Sequence, residues 1–363
     1  MPFLTIDDFK KKAKRKTPKA FHDYVTSGSW SETTLRKNSE DFDKISFRQR
    51  VAVDISNRST SKNLLGTKYS MPVALAPVGL LGMQRADGEI LAAQAAEIHG
   101  VPFTLSTMSI CSIEEVARNT AKPFWFQLYV MRDHDFAKRL VKRAKAAGCS
   151  ALVLTLDLQI LGQRHADVRN GLSIPIKVKM SNIIDLISKP GWCYKMAMTK
   201  NRTFGNIMGH VKDINNLSSL TTWVQNQFDT RLNWDDIKRI KDWWGGKLIL
   251  KGIMDPEDAK LAENNGADAI VVSNHGGRQL DGANSSISML PEIRKNISKA
   301  EIFFDGGIRS GQDILKAIAL GADGVLIGRS FVYGLSVDGK NGVKKWNLAA
   351  AEEPLAHDAR GAR

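Results

Sequence analysis

The stretch Ser273-Asn274-His275-Gly276-Gly277-Arg278-Gln279-Leu280-Asp281-Gly282 ends a buried apolar run with a base, a flexible turn and an anion clamp. An imidazole titrates near neutrality and can take up a proton from a bound hydroxyl. The glycines after it let the chain turn sharply, and Arg278 offers a planar fork for a carboxylate or a phosphate. The preceding Ala269-Ile270-Val271-Val272 has the length and β-branching of a strand buried on both faces. His275 therefore sits just past a strand's carboxyl end. A tight turn carrying a surface histidine would give the same string, so the motif alone does not decide.

The same pattern, an apolar strand ending in polar residues and followed by an amphipathic segment, repeats along the chain. Strands are expected at Pro72 to Ala76, Phe103 to Ser106, Phe124 to Tyr129, Ala151 to Asp157, Leu248 to Lys251, Ala269 to Asn274, Glu301 to Asp305 and Gly324 to Gly328. Helical patterns such as Glu89 to His99, Asp133 to Ala147, Pro256 to Asn265 and Gly311 to Leu320 lie between them. Strands alternating with helices imply parallel pairing. The expected fold is an α/β TIM (β/α)8 barrel, because positions 72 to 330 come close to the ~250 residues typical of it. An open doubly wound sheet is the alternative. It would more naturally carry G-x-G-x-x-G after its first strand, where this chain has Ala76-Pro77-Val78-Gly79-Leu80.

In a barrel the chemistry collects at the carboxyl ends of the strands. Taken in order, those ends offer Ala76, Pro77, Val78 and Gly79 as a backbone-rich edge for a flat ring, then Ser106, then Gln127 and Tyr129. Thr155 and Asp157 follow, with Arg164 on the loop beyond, then Lys251, then Ser273, His275 and Arg278. The seventh end gives Asp305, Gly306, Gly307 and Arg309, and the eighth Gly328 and Arg329. Glycine-rich turns after the last two strands are the usual phosphate cradle of this fold. Each residue also has a bland reading, as a salt bridge, a helix cap or a turn former. The set as a whole, gathered at one end of one barrel, favours a site.

Composition fits a globular chain with a large core, at 43% hydrophobic and 25% charged residues. Cys111, Cys149 and Cys193 are odd in number and lack C-x-x-C spacing, so no disulfide framework or zinc site is expected, and no metal. No signal-peptide core and no run of ~18 apolar residues is present. A cytoplasmic protein is expected. The net charge of +14 calls for an acidic partner. Nucleic acid would answer the charge but leaves the ordered strand ends unexplained, and no zinc finger or RRM pattern accompanies it. The basic residues concentrate at Lys10 to Lys19 and in a long insertion, about 171 to 229, where they mix with Trp192, Met196, Met198 and the Ile183-Ile184-Asp185-Leu186-Ile187 run. That mixture suits an anionic membrane surface, and an ordinary surface excursion is the alternative.

These residues resemble the FMN-dependent α-hydroxy-acid dehydrogenases and oxidases over nearly all of positions 4 to 343. SNHGGRQLDG, FDGGIRSGQDILKAIALGA and LIGRS occur in order, with Lys251 upstream. Trp125-Phe126-Gln127-Leu128-Tyr129, Leu161-Gly162-Gln163-Arg164 and the Asp255-Pro256 helix start look most like the bacterial respiratory L-lactate dehydrogenases. The resemblance implies one FMN-binding domain over 1–343. It implies His275 as the base, Asp157 as its orienting partner, and Arg164, Arg278 and Tyr24 as the carboxylate clamp. Tyr129 would bond the substrate oxygen, and Lys251 would lie near flavin N1 and O2, where charge appears on reduction. Ser106, Gln127, Thr155 and Ser273 would bond the ring and ribityl chain, and Gly307, Arg309, Gly328 and Arg329 the phosphate. Met108 and Leu161 would line the side-chain pocket.

The resemblance further implies oxidation of a small L-2-hydroxy acid, L-lactate to pyruvate being the best fit. Electrons would pass to a membrane quinone from a peripheral position on the cytoplasmic face of the inner membrane. An oxidase giving H2O2 is the alternative; Gly79 matches dehydrogenases, where oxidases commonly have alanine. A homo-oligomer is compatible with the family. One departure stands out. After Gly342-Val343 the chain continues as Lys344-Lys345-Trp346-Asn347-Leu348 and an atypical tail over 344–363. The expectation is an altered or missing final helix, exposed apolar surface over the last strand, and in the extreme a catalytically impaired chain.

Overall fold

The computed structural model describes residues 3–48, 51–52, 54, 56–172, 179–211, 223 and 227–347. A short hairpin, β1 (Lys62–Leu64) and β2 (Thr67–Tyr69), precedes eight barrel strands. These are β3 (Val73–Leu75), β4 (Thr104–Ser106), β5 (Trp125–Tyr129), β6 (Ala151–Thr155), β7 (Lys247–Ile253), β8 (Ala269–Val272), β9 (Glu301–Asp305) and β10 (Gly324–Ile327). All pair in parallel in the order β3-β10-β9-β8-β7-β6-β5-β4, and a parallel bridge from Leu75 to Phe103 joins the two ends of the sheet. The eight expected strands are all present. Several end a residue or two early, which leaves Asp157, Asn274 and Gly328 on the loops just beyond.

Side chains alternate across a strand, and the sequence uses that alternation consistently. Outward residues such as Leu75, Phe126, Leu152, Leu250, Ile270 and Phe304 are buried under the surrounding helices. Inward residues Ala74, Trp125, Val153, Ile249, Val271, Phe303 and Leu326 form a separate apolar core, which Leu64 of the hairpin joins. Each large aliphatic or aromatic side chain so buried contributes about 1.5–3 kcal/mol. Two positions further along the same inward parity, Trp125 gives way to Gln127, Val153 to Thr155, Ile249 to Lys251, Val271 to Ser273 and Phe303 to Asp305. One face of each strand thus carries core at its start and chemistry at its end.

Before the barrel come α1 (Ile6–Lys16), α2 (Lys19–Thr26) and α3 (Thr33–Asp43). A capping box between Thr5 and Asp8 starts α1, which buries Ile6, Phe9 and Ala13 and turns Lys10, Lys11, Lys12 and Lys14 outward. The loops and crossovers up to the insertion form α4 (Leu81–Gln84), α5 (Gly88–His99), α6 (Ile113–Arg118), α7 (His134–Ala146) and α8 (His165–Arg169). The insertion contributes α9 (Met180–Ile187) and α10 (Pro190–Met198). The remaining crossovers are α11 (Trp234–Trp244), α12 (Pro256–Asn264), α13 (Ser286–Asn296) and α14 (Gly311–Ala319).

The altered final helix expected after Gly342-Val343 falls mostly on residues from 348 onward, which lie outside the described ones. Helix α15 runs from Arg329 to Asn347 directly after β10, broken only at Asp338 and Gly339, whose φ is +57°. It packs on α1 and α5 and buries Phe331, Leu335, Val337 and Val343. Its halves approach so closely that a Cβ on Gly342 would lie 1.8 Å from the Gly334 carbonyl oxygen. The tail from 348 onward lies outside the described residues, as do 173–178 and 212–222 of the insertion.

No described residue of α9 or α10 is fully buried. Met180, Ile184 and Ile187 are 71%, 64% and 74% exposed, and Tyr194 and Met198 add 67% and 71%. The pair forms an outward apolar surface flanked by lysines. Among the described residues, no helix is long and apolar enough to cross a membrane.

Candidate active site

At the carboxyl end of the barrel the strand-end residues surround a cavity of about 490 Å³. Tyr24, Ala76, Pro77, Val78, Gly79, Met108, Tyr129, Thr155, Leu161, Arg164, Lys251, His275, Arg278, Asp305, Gly306, Gly307, Arg309, Gly328 and Arg329 all line it. Four expected residues, Ser106, Gln127, Asp157 and Ser273, stand behind that lining and act on it through neighbours.

His275 adopts φ +58°, a left-handed conformation that costs a residue with a Cβ on the order of 1–2 kcal/mol. The turn aims its ring at Asp157, with Nδ1 2.9 Å from Oδ1. Asp157 is brought there by an irregularity in β7, where Gly252 has φ +102° and a Cβ would come within 2.8 Å of the Asp157 side chain. Burial works to raise the Asp157 carboxyl, but the charge and hydrogen bond of His275, with Lys251 behind, hold it below its ordinary value. The pair leaves His275 Nε2 as the nitrogen available for proton transfer.

Arg278 and Arg164 flank the ring of Tyr24, with guanidinium carbons 4.6 and 6.0 Å from its centroid. Arg278 Nη1 donates to the backbone carbonyls of Tyr24 and Ser27, which fixes the cation against α2. Arg164 Nε donates to Asp167 Oδ2 at 2.7 Å. Burial lowers the Arg278 pKa, and the neighbouring Arg164 adds to the effect. Burial opposes the charge of Arg164 too, but Tyr24 and Asp167 outweigh it and raise that pKa. Two nearby cations in a buried site favour an anion between them. Tyr129 keeps its proton, because burial, then Tyr24 and Asp157, raise its phenol well above the ordinary value.

Lys251 forms an ion pair with Asp305 at 2.7 Å and donates to the Ser273 hydroxyl at 2.8 Å. Ser273 Oγ in turn donates to Asp305 Oδ2 at 2.9 Å. Ser106 Oγ donates to Gln127 Oε1 at 3.1 Å. That leaves Gln127 Nε2, like Thr155 Oγ1, buried with no hydrogen-bond partner among the described residues. Buried polar groups of this kind ask for a ligand with matching polar edges. At the far end, Gly306 and Gly307 have φ +124° and +84°, and Gly328 has only Ala76 and Val78 within 4 Å of where a Cβ would be. Arg309 and Arg329 stand beside them. Burial and the neighbouring Arg278 bring the Arg329 pKa down to about 9. A polar-edged ring with a phosphate tail matches this donor set.

Several residues escape a reading of the sequence. Gln279 Nε2 donates to the carbonyls of Asp157 and Ile160 at 2.7 and 3.1 Å, tying the base loop to the loop of Leu161 and Arg164. It lies inside the motif that signalled the site, but nothing marked its separate contribution. Asp167 was legible in principle, three residues from Arg164 on one helical turn. Phe21, Phe228 and Phe204 line the cavity without any sequence signal.

Comparison with known proteins agrees with this geometry. A profile described as FMN-dependent dehydrogenase matches residues 13–353. The chain is 45% identical to an L-lactate dehydrogenase of Caulobacter sp. (strain K31) over 347 residues, covering 95% of this chain and 91% of that protein. Its fold matches the crystal structure of the monotopic membrane protein (S)-mandelate dehydrogenase with TM-score 0.92 and 34% identity, over 96% of this chain and 92% of the other. A mandelate oxidase structure matches with TM-score 0.82 and 33% identity, over 99% and 93% of the two chains. With the barrel, the flavin-shaped donor set and these likenesses in agreement, the chain belongs to the FMN-dependent dehydrogenase family.

Proposed function

We propose that residues 1–343 form a single FMN-binding domain that oxidises a small L-2-hydroxy acid, L-lactate to pyruvate, and passes the electrons to a membrane quinone. The observation that carries this reading is the convergence of the His275–Asp157 pair with Arg164, Arg278 and Tyr24 on one cavity. The arginines and the Tyr24 hydroxyl hold the substrate carboxylate, so the C2 hydroxyl is presented to His275 Nε2, which takes its proton. Asp157 stabilises the resulting imidazolium, and Tyr129, kept protonated, donates to the substrate oxygen. When bound, FMN supplies the acceptor for the C2 hydrogen and the two electrons that leave with it. Gln127, Thr155 and the Lys251–Ser273–Asp305 group hold the ring, with Ser106 fixing the Gln127 side chain. Gly307, Gly328, Arg309 and Arg329 hold the phosphate.

Met108 and Leu161 leave room for a small apolar substituent, which suits lactate's methyl group. Discrimination by such a pocket amounts to about 1–3 kcal/mol per methylene, so other short 2-hydroxy acids are expected to react more slowly. The acceptor is inferred from two features. The cavity continues past Tyr24 to Phe21, Met83, Leu186 and Phe204, and Leu186 belongs to α9, whose outer face is apolar. The mandelate dehydrogenase with this fold is described as monotopic. We therefore place the protein peripherally on the cytoplasmic face of the inner membrane, with α9 and α10 on an anionic lipid surface. A second reading, O2 as acceptor, is favoured by the likeness to a mandelate oxidase.

The test is an anaerobic visible spectrum of the FMN-loaded protein before and after L-lactate. Bleaching of the flavin band is expected, with faster reoxidation by a quinone analogue than by air. A flavin that stays oxidised would exclude lactate as the substrate, and faster recovery in air with H2O2 release would establish the oxidase.

A further inference from the structure

The left-handed backbone of His275 needs something to hold it, and the residue before it is held in an unusual way. Asn274, 7% exposed, pairs with Asn38 of α3, 2% exposed. Asn38 Nδ2 donates to Asn274 Oδ1 and Asn274 Nδ2 donates to Asn38 Oδ1, each at 2.8 Å. This closed pair uses one donor and one acceptor from each carboxamide. Three further bonds hold the pair in place. Asn274 Oδ1 accepts from the Gly277 N–H at 3.1 Å, Asn274 Nδ2 donates to the Asn284 carbonyl at 3.0 Å, and Asn38 Oδ1 accepts from the Ser286 N–H at 3.2 Å. The turn from 274 to 277 that carries His275 is therefore pinned through a side chain outside the barrel.

The same helix residue also touches the turn after the adjacent strand, β9. A Cβ on Gly307 would lie 1.8 Å from the Asn38 carbonyl oxygen, and one on Gly306 would lie 3.6 Å from Asn38 Cγ. The backbone of the phosphate turn is thus pressed against Asn38. We propose that Asn38 is a positioning residue for the reaction: its carboxamide fixes the His275 turn while its main chain backs the Gly306–Gly307 turn. Alignment of the base and seating of the phosphate are then set by one residue of α3. This inference rests on His275 being the base, as proposed above.

No other side chain reproduces the pairing. Aspartate offers acceptors only, so Asn274 Oδ1 would face a like-charged oxygen. Alanine leaves both ends of the Asn274 carboxamide short of a partner in a buried site. Asn274 is then free to turn, Gly277 loses a fixed acceptor, and the His275 φ can relax. A displacement of about 1 Å at a reacting group can cost on the order of 100-fold in rate.

The experiment is stopped-flow flavin reduction by L-lactate and by its C2-deuterated form, with Asn38→Ala and Asn38→Ser holoenzymes saturated with FMN and rates expressed per bound flavin. His275→Gln runs alongside as a control. The expected result is a limiting reduction rate lower by roughly 10- to 100-fold. The substrate concentration for half-maximal rate should change little, the deuterium isotope effect should be undiminished, and FMN release should be faster. Asn38→Ser, which keeps one hydrogen-bonding group, should fall between alanine and the native protein, and serves if the alanine protein does not fold. Native rates per bound flavin, with His275→Gln inactive, would overturn the positioning role alone. An active His275→Gln protein would overturn the base assignment and this inference with it.

Discussion

Lys251 and Asp305 form a largely buried ion pair, Nζ to Oδ2 2.7 Å, from inward positions of β7 and β9 on either side of β8, and the hydroxyl of Ser273, just past β8, bonds to both. Removing one partner of such a pair strands the other charge, which typically costs about 3–5 kcal/mol. Lys251→Met is therefore expected to lower the thermal midpoint strongly and to weaken FMN retention. Lys251→Met/Asp305→Leu should recover much of the midpoint but none of the flavin. Calorimetry with and without FMN checks both statements.

The Asp157 carboxyl has a pKa below its ordinary 3.8 in the folded protein. A depressed acid contributes stability that is present above its unfolded pKa and is lost as pH falls through the folded one. The gap in thermal midpoint between the native protein and Asp157→Asn should therefore be largest above pH about 4 and should close at lower pH. A midpoint gap that widens on acidification would contradict this.

Arg329, with a pKa of about 9, carries its charge in a buried place beside Arg278, and a phosphate is the natural counter-ion there. FMN should raise the thermal midpoint well above the rise given by riboflavin, which has the ring but no phosphate. Arg329→Met should shrink the difference between the two. Equal shifts from both ligands in the native protein would remove the phosphate seat from this end of the cavity.

Charge-assisted hydrogen bonds contribute about 1.5–3 kcal/mol each. Arg164→Met should therefore reduce kcat/KM for L-lactate by roughly 10- to 100-fold, mostly through KM. Steady-state kinetics with lactate and with its neutral amide separate the contributions, since the amide should be nearly indifferent to the substitution.

The outward face of α9 should partition into bilayers. Ile184→Glu/Ile187→Glu is expected to reduce sedimentation with anionic vesicles at least tenfold, since each isoleucine buried in lipid is worth about 1.5–3 kcal/mol. Anaerobic flavin reduction by lactate should stay unchanged, and reduction of a membrane-embedded quinone should fall. Unaltered vesicle binding would move the docking surface elsewhere.

The barrel was legible because strands buried on both faces read as unbroken apolar runs, and each ended in a polar residue of the right parity. Gln127, Thr155, Lys251 and Asp305 could be named from that pattern alone. Asn38 could not. It sits among Arg36, Lys37, Ser39 and Glu40, an ordinary polar stretch, and its partner lies 236 positions away. The hairpin Lys62–Tyr69 also gave no signal, because three-residue strands are too short for a period to show. The chain's end was legible only in part. The unfamiliar sequence begins at Lys344 and mostly lies beyond the described residues, while the close approach of Gly334 and Gly342, which carries no sequence period, comes before it.

The inward parity that turns core into chemistry along each strand also limits how such a chain can change in length. A single-residue deletion within β6 would exchange Thr155 for Leu156 at the cavity and slide the leucines of the outer face into the barrel's middle. Length changes inside the strands are thus closed to this architecture. Only the connections can absorb them, and the longest connection is the one that carries the apolar helices α9 and α10. The scaffold leaves that one region open to new surfaces, such as a hold on a membrane, without disturbing the register of the reacting groups.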